Sequence, residues 1–280
     1  MSGSVAALLD RLPELRPGHV WLAGAGPGDP GLLTLHALSG LTQADVIVHD
    51  ALVDPRILGL GRADAERVFA GKRGGKPSVH QADITATLVT LAQAGRRVLR
   101  LKGGDPYVFG RGGEEALVLA EHGIPFRVIP GITAGIGGLA AALIPATLRG
   151  VNQAVVLATG HGAEGLEGAE RLPGAVDWAA LARLGQPIVV YMAITHVAAI
   201  ARALLAGGLA GETPAAVIAS ATTPQQKVLV STLAALPADL AAAALGTPAI
   251  VVVGGIVAMR ARLLALLPDL AEAAPWRHPG

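Results

Sequence analysis

A chain of 280 residues is long enough for one large domain or for two domains of about 100 to 150 residues each. Apolar residues make up 52% of it and charged residues only 15%, which excludes a disordered chain and favours an α/β protein with buried parallel strands. A net charge of +1 argues against a nucleic-acid-binding surface. The absence of cysteine excludes disulfides and thiolate metal sites, and it favours the cytoplasm.

Short apolar runs alternate with segments of helical periodicity along the whole chain, which is typical of βα units. Ten strands are predicted, at Val20–Ala23, Val46–His49, Arg67–Ala70, Val98–Leu101, Phe126–Ile129, Ala154–Thr159, Ile188–Tyr191, Ala215–Ala219, Lys227–Val230 and Ala249–Val253. Helices are predicted at Leu32–Leu41, Gln81–Ala94, Gly112–Glu121, Ile132–Ala142, Trp178–Leu184, Val197–Ala206 and Val257–Leu267.

These elements predict two α/β domains with mainly parallel five-stranded sheets. The N-terminal domain is expected at residues 18–130 and the C-terminal domain at 153–258. A glycine-rich connector at 131–152 would join them, and a C-terminal helix and tail would occupy 259–280.

Neither the first twenty residues nor the centre of the chain predicts a membrane segment. The first twenty residues include four charged ones and lack the apolar core of a signal peptide, so export by that route is not expected. The uncharged stretch Val128–Leu148 is long enough to span a bilayer, but it contains prolines and several glycines. We therefore predict a buried connector there.

The stretch Gly26–Gly31, which reads GPGDPG, has the G-x-G-x-x-G spacing of a dinucleotide-binding loop. A pyrophosphate needs free backbone N–H groups, which Pro27 and Pro30 lack. Asp29 also places a negative charge where phosphates would lie. The stretch is therefore either a tight strand-to-helix turn or part of a site for a ligand without phosphates.

Residues able to do chemistry gather at the carboxyl ends of the predicted strands of the first half. They are Gly24–Pro27, Asp50, Lys72 and Arg73, Lys102–Asp105, and Gly131–Ala134. Ligands bind at this edge in open parallel sheets. The second half offers fewer charges, with Met192, Ala221 and Pro248 instead, which would suit the apolar wall of a small-molecule site in a cleft between the two domains.

Five sequence stretches carry a family resemblance. The most specific is LRLKGGDPYVFGRGGEE at residues 99–115, and the others are GAGPGDPGLLTLHAL, ADVIVHDALV, FAGKRGGK and VIPGITAGIGGLAAALIPAT. In order and spacing they closely resemble the uroporphyrinogen-III C-methyltransferases of the tetrapyrrole methylase family, from about Val20 to about Val257. The resemblance implies two α/β domains with S-adenosylmethionine, a ligand without phosphates, in the cleft between them.

The resemblance also implies which residues contact the cofactor. They are Pro27, Gly103, Gly104, Asp105, Val108, Thr133, Ala134, Met192 and Ala221, with Pro248 and Ala249 at a further place beside the adenosine. Glycines let backbone groups approach a ligand, and carbonyls or Asp105 would complement its ammonium and sulfonium charges. Without the resemblance, Met192 would be interpreted as a core residue at a strand end.

The implied reaction moves the methyl group of S-adenosylmethionine to C2 and then C7 of uroporphyrinogen III, giving precorrin-2 via precorrin-1, in cobalamin or sirohaem biosynthesis. A proton must leave the macrocycle, so a nearby base helps. Asp50 matches the family's proton acceptor and Lys72 its proton donor, and Arg111 and Glu114 complete the predicted catalytic set. Taken alone, Asp50 is more typical of a capping carboxylate and Lys72 of a solvated surface charge.

Uroporphyrinogen carries many carboxylates, which a chain of net charge +1 must meet with local positive charge. We predict Arg111 and Arg149 as carboxylate clamps, since an arginine fork suits bidentate binding, with Arg73 adding charge. Glu114 would either orient an arginine or contact a pyrrole N–H. The family commonly reads Thr-His-Arg where this chain has Thr147-Leu148-Arg149, so any contact made by that histidine is lost.

Several alternatives keep the fold and cofactor but change the substrate. They are a later precorrin methylase, a diphthine synthase and a ribosomal RNA ribose methyltransferase, the last disfavoured by few aromatics and no basic face. A non-catalytic S-adenosylmethionine-binding regulator is the alternative of another class. The resemblance suggests a cytoplasmic homodimer with no metal and no nucleic-acid or membrane partner. With no room before the first domain for the dehydrogenase and ferrochelatase module of a fused sirohaem synthase, methylation alone is expected.

Overall fold

The computed structural model describes residues 5–9, 11–71, 81–161 and 176–268. Its helices are α1 (Val5–Leu9), α2 (Leu35–Gln43), α3 (Pro55–Leu58), α4 (Gln81–Gln93), α5 (Gly112–Glu121), α6 (Ala134–Ala141), α7 (Trp178–Leu184), α8 (Val197–Ala206), α9 (Leu236–Ala243) and α10 (Ala258–Leu266). Its strands are β1 (Val20–Gly24), β2 (Val46–His49), β3 (Glu66–Phe69), β4 (Val98–Lys102), β5 (Phe126–Ile129), β6 (Val156–Thr159), β7 (Ile188–Tyr191), β8 (Pro214–Ala219), β9 (Lys227–Thr232) and β10 (Ala249–Val253).

The chain divides into two units, Met1–Thr133 and Ala134–Gly280. Each unit contains one five-stranded sheet. The finer boundaries expected from the sequence for the two domains, the connector and the C-terminal tail stay a prediction.

The sheet of the first unit has the order β3-β2-β4-β1-β5, and every neighbouring pair is parallel. Side chains alternate across it, so that Trp21 and Ala23 of β1 join a core with α2 and α3. Val20 and Leu22 join a second core with α4 and α5. Burial on both faces is the arrangement that near-continuous apolar strands predict.

The sheet of the second unit has the order β6-β7-β10-β8-β9 and corrects the prediction of a mainly parallel sheet. Only β6 and β7 pair in parallel, whereas β10 is antiparallel to both β7 and β8, and β8 is antiparallel to β9. Seven residues, 220–226, connect β8 to β9. A crossover between parallel neighbours needs a dozen residues or more, so this connection returns the chain as a hairpin.

The helices of the second unit lie on both faces of its sheet. One face packs against α7, α8 and α9 in a single core around Val190, Val217 and Val251. On the other face, α6 approaches so closely that a Cβ on Gly138 would lie 3.0 Å from Cδ1 of Ile250. The small residues of α6 therefore allow it to pack directly against the centre of the sheet.

All ten predicted strands are present, with each end within two residues of its predicted position. The short helices α1, α3 and α9 were not expected from the sequence. α3 has a local signal, because Asp54 accepts from Arg56 N at 2.8 Å and Pro55 occupies the first turn. None of the helices in the described parts of the chain is long and apolar enough to cross a membrane.

Candidate functional site

The carboxyl ends of the parallel strands in the first unit are tied together by backbone hydrogen bonds. Gly26, after β1, and Gly104, after β4, exchange two of them: Gly104 N donates to Gly26 O at 2.7 Å and Gly26 N to Gly104 O at 3.1 Å. Asp105 Oδ2 accepts from Gly131 N, after β5, at 2.9 Å. The structure thus brings the glycine loop after β1, the motif after β4 and the start of the predicted connector to one edge.

Glycine is required at this edge because backbone packs on backbone. A Cβ on Gly131 would lie 2.7 Å from the Cα of Gly24 and would also meet Gly104 O. A Cβ on Gly103 would lie 2.6 Å from the Cβ of Leu52. Gly104 has a φ of +69°, a region that only glycine adopts without strain. At Gly24, Gly103 and Gly131, the missing side chain makes room for neighbouring protein.

In the stretch Gly26–Gly31, neither the two prolines nor Gly26 and Gly31 have a free backbone N–H for a phosphate. Asp29 is buried, and its Oδ1 accepts from Gly31 N at 2.7 Å, which caps the 3-10 turn Pro30–Leu32. Gly26 N is engaged by Gly104 O, and the two prolines have no N–H to give. The geometry therefore agrees with a turn beside a ligand without phosphates.

Asp50 lies directly after β2 and is partly buried. Its Oδ1 accepts from Leu52 N at 2.9 Å, and its Oδ2 accepts from Gly103 N at 3.4 Å. The second bond places this carboxylate beside the start of the 103–105 loop. Lys72 and Arg73, predicted as proton donor and substrate contact, lie outside the described residues.

Asp105 uses both carboxylate oxygens to hold its own loop. Oδ1 accepts from Tyr107 N at 2.7 Å, while Oδ2 holds Gly131 as described. Val108 N donates to Asp105 O at 3.4 Å and the Val108 side chain is partly buried. Asp105 is therefore a structural tie in this unit, and any interaction with a positively charged ligand would use its remaining lone pairs.

Arg111 and Glu114 form a bidentate pair at the start of α5. Arg111 Nε and Nη2 donate to the two carboxylate oxygens of Glu114 at 2.9 and 2.6 Å, and both side chains are more than half exposed. The hydrogen bond from Arg111 lowers the pKa of Glu114. Arg111 itself has a φ of +58°. Of the two roles considered for Glu114, this geometry has it orient an arginine.

A buried charged cluster behind this edge was not predicted, although Lys102 is among the residues expected at the strand end. Arg100 and Lys102, on β4, are 2% and 4% exposed, and Glu115, on α5, is fully buried. Glu115 Oε1 accepts from Arg100 Nε and Lys102 Nζ, both at 3.1 Å. The sequence signal was available, since charges at alternate positions of an otherwise apolar strand need a buried partner.

In the second unit, the antiparallel register brings the predicted cofactor residues to one edge. Met192 follows β7 and Ala221 lies just after β8, while Pro248 directly precedes β10. Since β10 runs against both neighbours, its beginning lies beside their ends, and Ala249 pairs with Ala219. In a parallel sheet, Pro248 and Ala249 would lie at the opposite edge.

Strained backbone gathers at this second edge. Met192, Ser220 and Thr222 have φ values of +53°, +48° and +63°, which non-glycine residues adopt rarely. Ser220 N donates to Pro248 O at 2.8 Å, and Met192 is 50% exposed. Such conformations concentrate at functional sites, where the surrounding structure holds them in place.

Two further predicted cofactor residues lie at the start of α6. Thr133 precedes it and Ala134 begins it, and the hydroxyl of Tyr191 accepts from Gly135 N at 2.9 Å, which fixes the first turn to β7.

The predicted substrate residue Arg149 is exposed in the turn 148–151 and has no hydrogen bond or ion pair with any residue that the structure describes. Asn152 shapes that turn by accepting from Leu148 N at 2.8 Å.

The described residues contain no cluster of three or more His, Asp or Glu side chains able to hold a metal ion. The predicted site residues lie at one sheet edge in each unit: Asp50 and the 103–105 loop in the first unit, and Met192 and Ala221 in the second.

Comparison with known proteins identifies the family. The family model described as tetrapyrrole (corrin/porphyrin) methylases matches residues 19–237. A uroporphyrinogen-III C-methyltransferase of Sinorhizobium sp is 60% identical over 252 residues, which are 90% of this chain and 88% of that protein. A siroheme synthase of Nitrosomonas eutropha is 48% identical over 88% of this chain, which spans only 50% of that longer protein.

Solved structures agree with the family match. A uroporphyrin-III C-methyltransferase of Thermus thermophilus, complexed with S-adenosyl homocysteine, has a TM-score of 0.71 and 36% identity over 86% of this chain and 99% of that one. A cobalt precorrin-4 methyltransferase has a TM-score of 0.76 at 24% identity, covering 88% and 99%, and shows the fold alone. The chain belongs to the tetrapyrrole (corrin/porphyrin) methylases.

Proposed function

We propose that the chain is a uroporphyrinogen-III C-methyltransferase, which transfers methyl groups from S-adenosylmethionine to C2 and then C7 of uroporphyrinogen III and gives precorrin-2 via precorrin-1. The 60% identity to the Sinorhizobium enzyme over most of both chains supports this substrate. The structural observation that carries the proposal is the bond from Gly103 N to Asp50 Oδ2, which joins a carboxylate to the most specific family motif.

The described residues fit S-adenosylmethionine, which supplies an electrophilic methyl group on a positively charged sulfur. In the Gly26–Gly31 turn the N–H groups of Gly26 and Gly31 are already engaged, and S-adenosylmethionine has no phosphate that would need them. The residues proposed to hold it are Pro27, Gly103, Gly104, Asp105, Val108, Thr133, Ala134, Met192, Ala221, Pro248 and Ala249. The Thermus relative complexed with S-adenosyl homocysteine supports the choice of cofactor.

Asp50 is proposed to accept the proton that the macrocycle loses after methylation. Two backbone N–H groups, from Leu52 and Gly103, donate to its carboxylate and fix its orientation. A base held within reach of its proton accelerates such a step by about a hundred- to ten-thousandfold. Lys72 is proposed as the proton donor on the family resemblance alone.

Substrate carboxylates are proposed to bind at Arg111 and Arg149, with Arg73 adding charge. Arg111 is held in place by Glu114 through Nε and Nη2 and still exposes more than half of its side chain, so the Nη1 edge of its guanidinium is available to an anion. Arg149 is exposed in a turn that Asn152 ties down through bonds to Leu148 N and to two carbonyls. Leu148 supplies no polar group where the family commonly has a histidine.

The product would enter cobalamin or sirohaem biosynthesis, and we place the enzyme in the cytoplasm as a homodimer of two-domain chains. The pathway, the compartment and the oligomeric state are proposed on the family resemblance, and the pathway depends on the reaction proposed above.

The test supplies anaerobic uroporphyrinogen III and S-adenosylmethionine to the protein and follows the product by mass and absorbance. We expect the mass of two added methyl groups. In parallel, S-adenosylhomocysteine at about a hundredfold excess over Kd should stabilise the fold by about 2.7 kcal/mol, whereas NAD should not. Methylation of only a later corrinoid would refute the substrate, and cofactor binding without any turnover would indicate a regulator.

A further inference from the structure

The turn between β8 and β9, residues 220–226, carries Ala221, one of the residues proposed to hold the cofactor. We propose that Gln226 is a positioning residue for this turn. Its side-chain amide joins the turn to the end of α6 and so fixes Ala221 where the cofactor would bind. The inference rests on the proposed function, because it takes the contacts of Ala221 and Ala134 with S-adenosylmethionine from there.

The backbone on both sides of Ala221 has a conformation that it would not keep by itself. Ser220 and Thr222 have φ values of +48° and +63°. Threonine, with its branched Cβ, is among the residues least suited to that region. Such a conformation persists only where the surrounding structure holds it. The position of Ala221 therefore depends on the bonds that its two neighbours make.

These neighbours are held by two different parts of the second unit. Ser220 N donates to Pro248 O at 2.8 Å, just before β10. Thr222 is only 1% exposed, and its N–H donates to Gln226 Oε1 at 2.7 Å. Since a buried N–H without an acceptor is costly, the bond to Gln226 favours the left-handed conformation of Thr222.

The other end of the same amide reaches α6. Gln226 Nε2 donates to the carbonyl oxygen of Ala141, the last residue of that helix, at 3.2 Å. Because the last carbonyls of a helix have no partner within it, a donor from the turn both caps the helix and attaches the turn to it. The helix also packs directly on the turn, since a Cβ on Gly138 would lie 3.0 Å from the Cβ of Ala221.

The two bonds use the two different ends of the amide. Thr222 N needs an acceptor and Ala141 O needs a donor, and glutamine supplies one of each. Glutamate has the same shape and would keep the acceptor, but it would set a second oxygen against Ala141 O. Methionine has a similar length and would remove both bonds.

The clamp made by Gln226 sets the spacing of two proposed cofactor contacts within the second unit. Ala134 begins the helix that Gln226 caps, and Ala221 lies in the turn that it holds. Without the amide, the strained turn can relax, and cofactor binds only to molecules whose turn keeps its native shape. The apparent Kd then rises by the inverse of that fraction.

Calorimetry with S-adenosylhomocysteine on wild type, Q226M and Q226E tests the inference. We expect the Kd to rise about tenfold or more in Q226M and about threefold or more in Q226E, which keeps the bond to Thr222 N. In turnover, KM for S-adenosylmethionine should rise, while kcat at saturating cofactor and KM for uroporphyrinogen III should stay near wild type.

Two matched controls separate positioning from stability. Q225M changes the neighbouring glutamine of the same turn, whose side chain is exposed. R260M removes a 2.7 Å bond from α10 to Ala142 O, next to the carbonyl that Gln226 caps. If Gln226 only capped α6, Q226M and R260M would both lower thermal stability and neither would change the Kd. On the proposal, both controls keep wild-type affinity and only the Gln226 variants lose it.

Wild-type affinity in Q226M overturns the inference, and if that variant does not fold, wild-type affinity in Q226E overturns it. Equal losses of affinity in Q226M and R260M also overturn it, because capping of α6 would then explain both. Absence of S-adenosylhomocysteine binding by the wild type would refute the proposed function, and the inference with it.

Discussion

Replacing Gly131 with alanine tests whether the close backbone packing at the edge of the first sheet supports both folding and cofactor binding. The added Cβ would lie 2.7 Å from the Cα of Gly24 and would press against Gly104 O. Neither neighbour is a flexible side chain, so the strand ends must separate. Separation strains the bond from Gly131 N to Asp105 Oδ2, which is 2.9 Å long in the native structure.

The expected magnitude combines these two effects. Overpacking a tight site costs about 1–3 kcal/mol, and losing a hydrogen bond to a charged group costs about 1.5–3 kcal/mol. Since relaxation that relieves one effect increases the other, we expect G131A to lower the free energy of unfolding of the first unit by about 2–4 kcal/mol. Displacement of Gly104 should also weaken S-adenosylhomocysteine binding by about tenfold or more.

Urea denaturation and calorimetry with S-adenosylhomocysteine measure the two quantities. G113A is the matched control, because Gly113 lies in α5 with open space where its Cβ would be. That substitution should leave affinity unchanged and stabilise the helix by about 0.5–1 kcal/mol. Wild-type stability and affinity in G131A would refute the packing argument.

Three further predictions concern single side chains. Asp50→Asn should slow turnover about a hundredfold or more while leaving S-adenosylhomocysteine affinity near wild type in calorimetry. Loss of Arg111 or Arg149 should lower kcat/KM for uroporphyrinogen III by about ten- to a hundredfold, and lysine at either position should recover only part of it. The Arg97 guanidinium holds the pKa of Asp45 at about 2, below its usual 3.8, so Asp45 contributes stability above about pH 4 that is lost as the pH falls toward 2. Asp45→Asn should therefore cost about 1–2 kcal/mol in urea denaturation at neutral pH and less near pH 2.

Each of these has a result that would contradict it. A wild-type rate for Asp50→Asn would make that residue a structural cap of the turn after β2. Full activity in both arginine variants would mean that other groups hold the substrate carboxylates. Asp64, whose side chain is 70% exposed, serves as the comparison. If Asp64→Asn lowered the free energy of unfolding as much as Asp45→Asn, the pair of Asp45 with Arg97 would contribute no more stability than an exposed ion pair.

The strands could be located from the sequence, but not all of their directions. Apolar runs such as Val46–His49 and Ile188–Tyr191 are local signals, and their bounds match the structure. The place of β10 between β7 and β8 is a non-local property, decided by which register buries the most apolar surface. The only sequence signal for an antiparallel pair was the short connection 220–226, which is too short for a parallel crossover. It lacks the turn dipeptides, such as Asn-Gly, that make hairpins easy to recognise.

In the candidate site too, features set by residue type could be predicted, whereas features set by packing between distant segments could not. The glycines and prolines of Gly26–Gly31 restrict the backbone by their own chemistry, so the exclusion of a phosphate loop could be made from residue types alone. The buried pairing of Arg100 with Glu115 depends on α5 packing against β4, which no local pattern specifies. The left-handed backbone at Met192 and Ser220 likewise has no sequence signal, because neither residue prefers that conformation.

The central place of β10 also orders the events of synthesis. As the chain leaves the ribosome, β6 and β7 can pair through their intervening helix, and β8 and β9 can close as a hairpin, but the two halves have no shared strand until Ala249–Val253 emerges. The last strand to be synthesised, β10, is therefore the one that joins the two strand pairs into a single sheet. A nascent chain stalled before residue 249 would leave the edges of β7 and β8 that normally pair with β10 exposed. During this interval of translation the second unit is most exposed to misassembly and to chaperone binding.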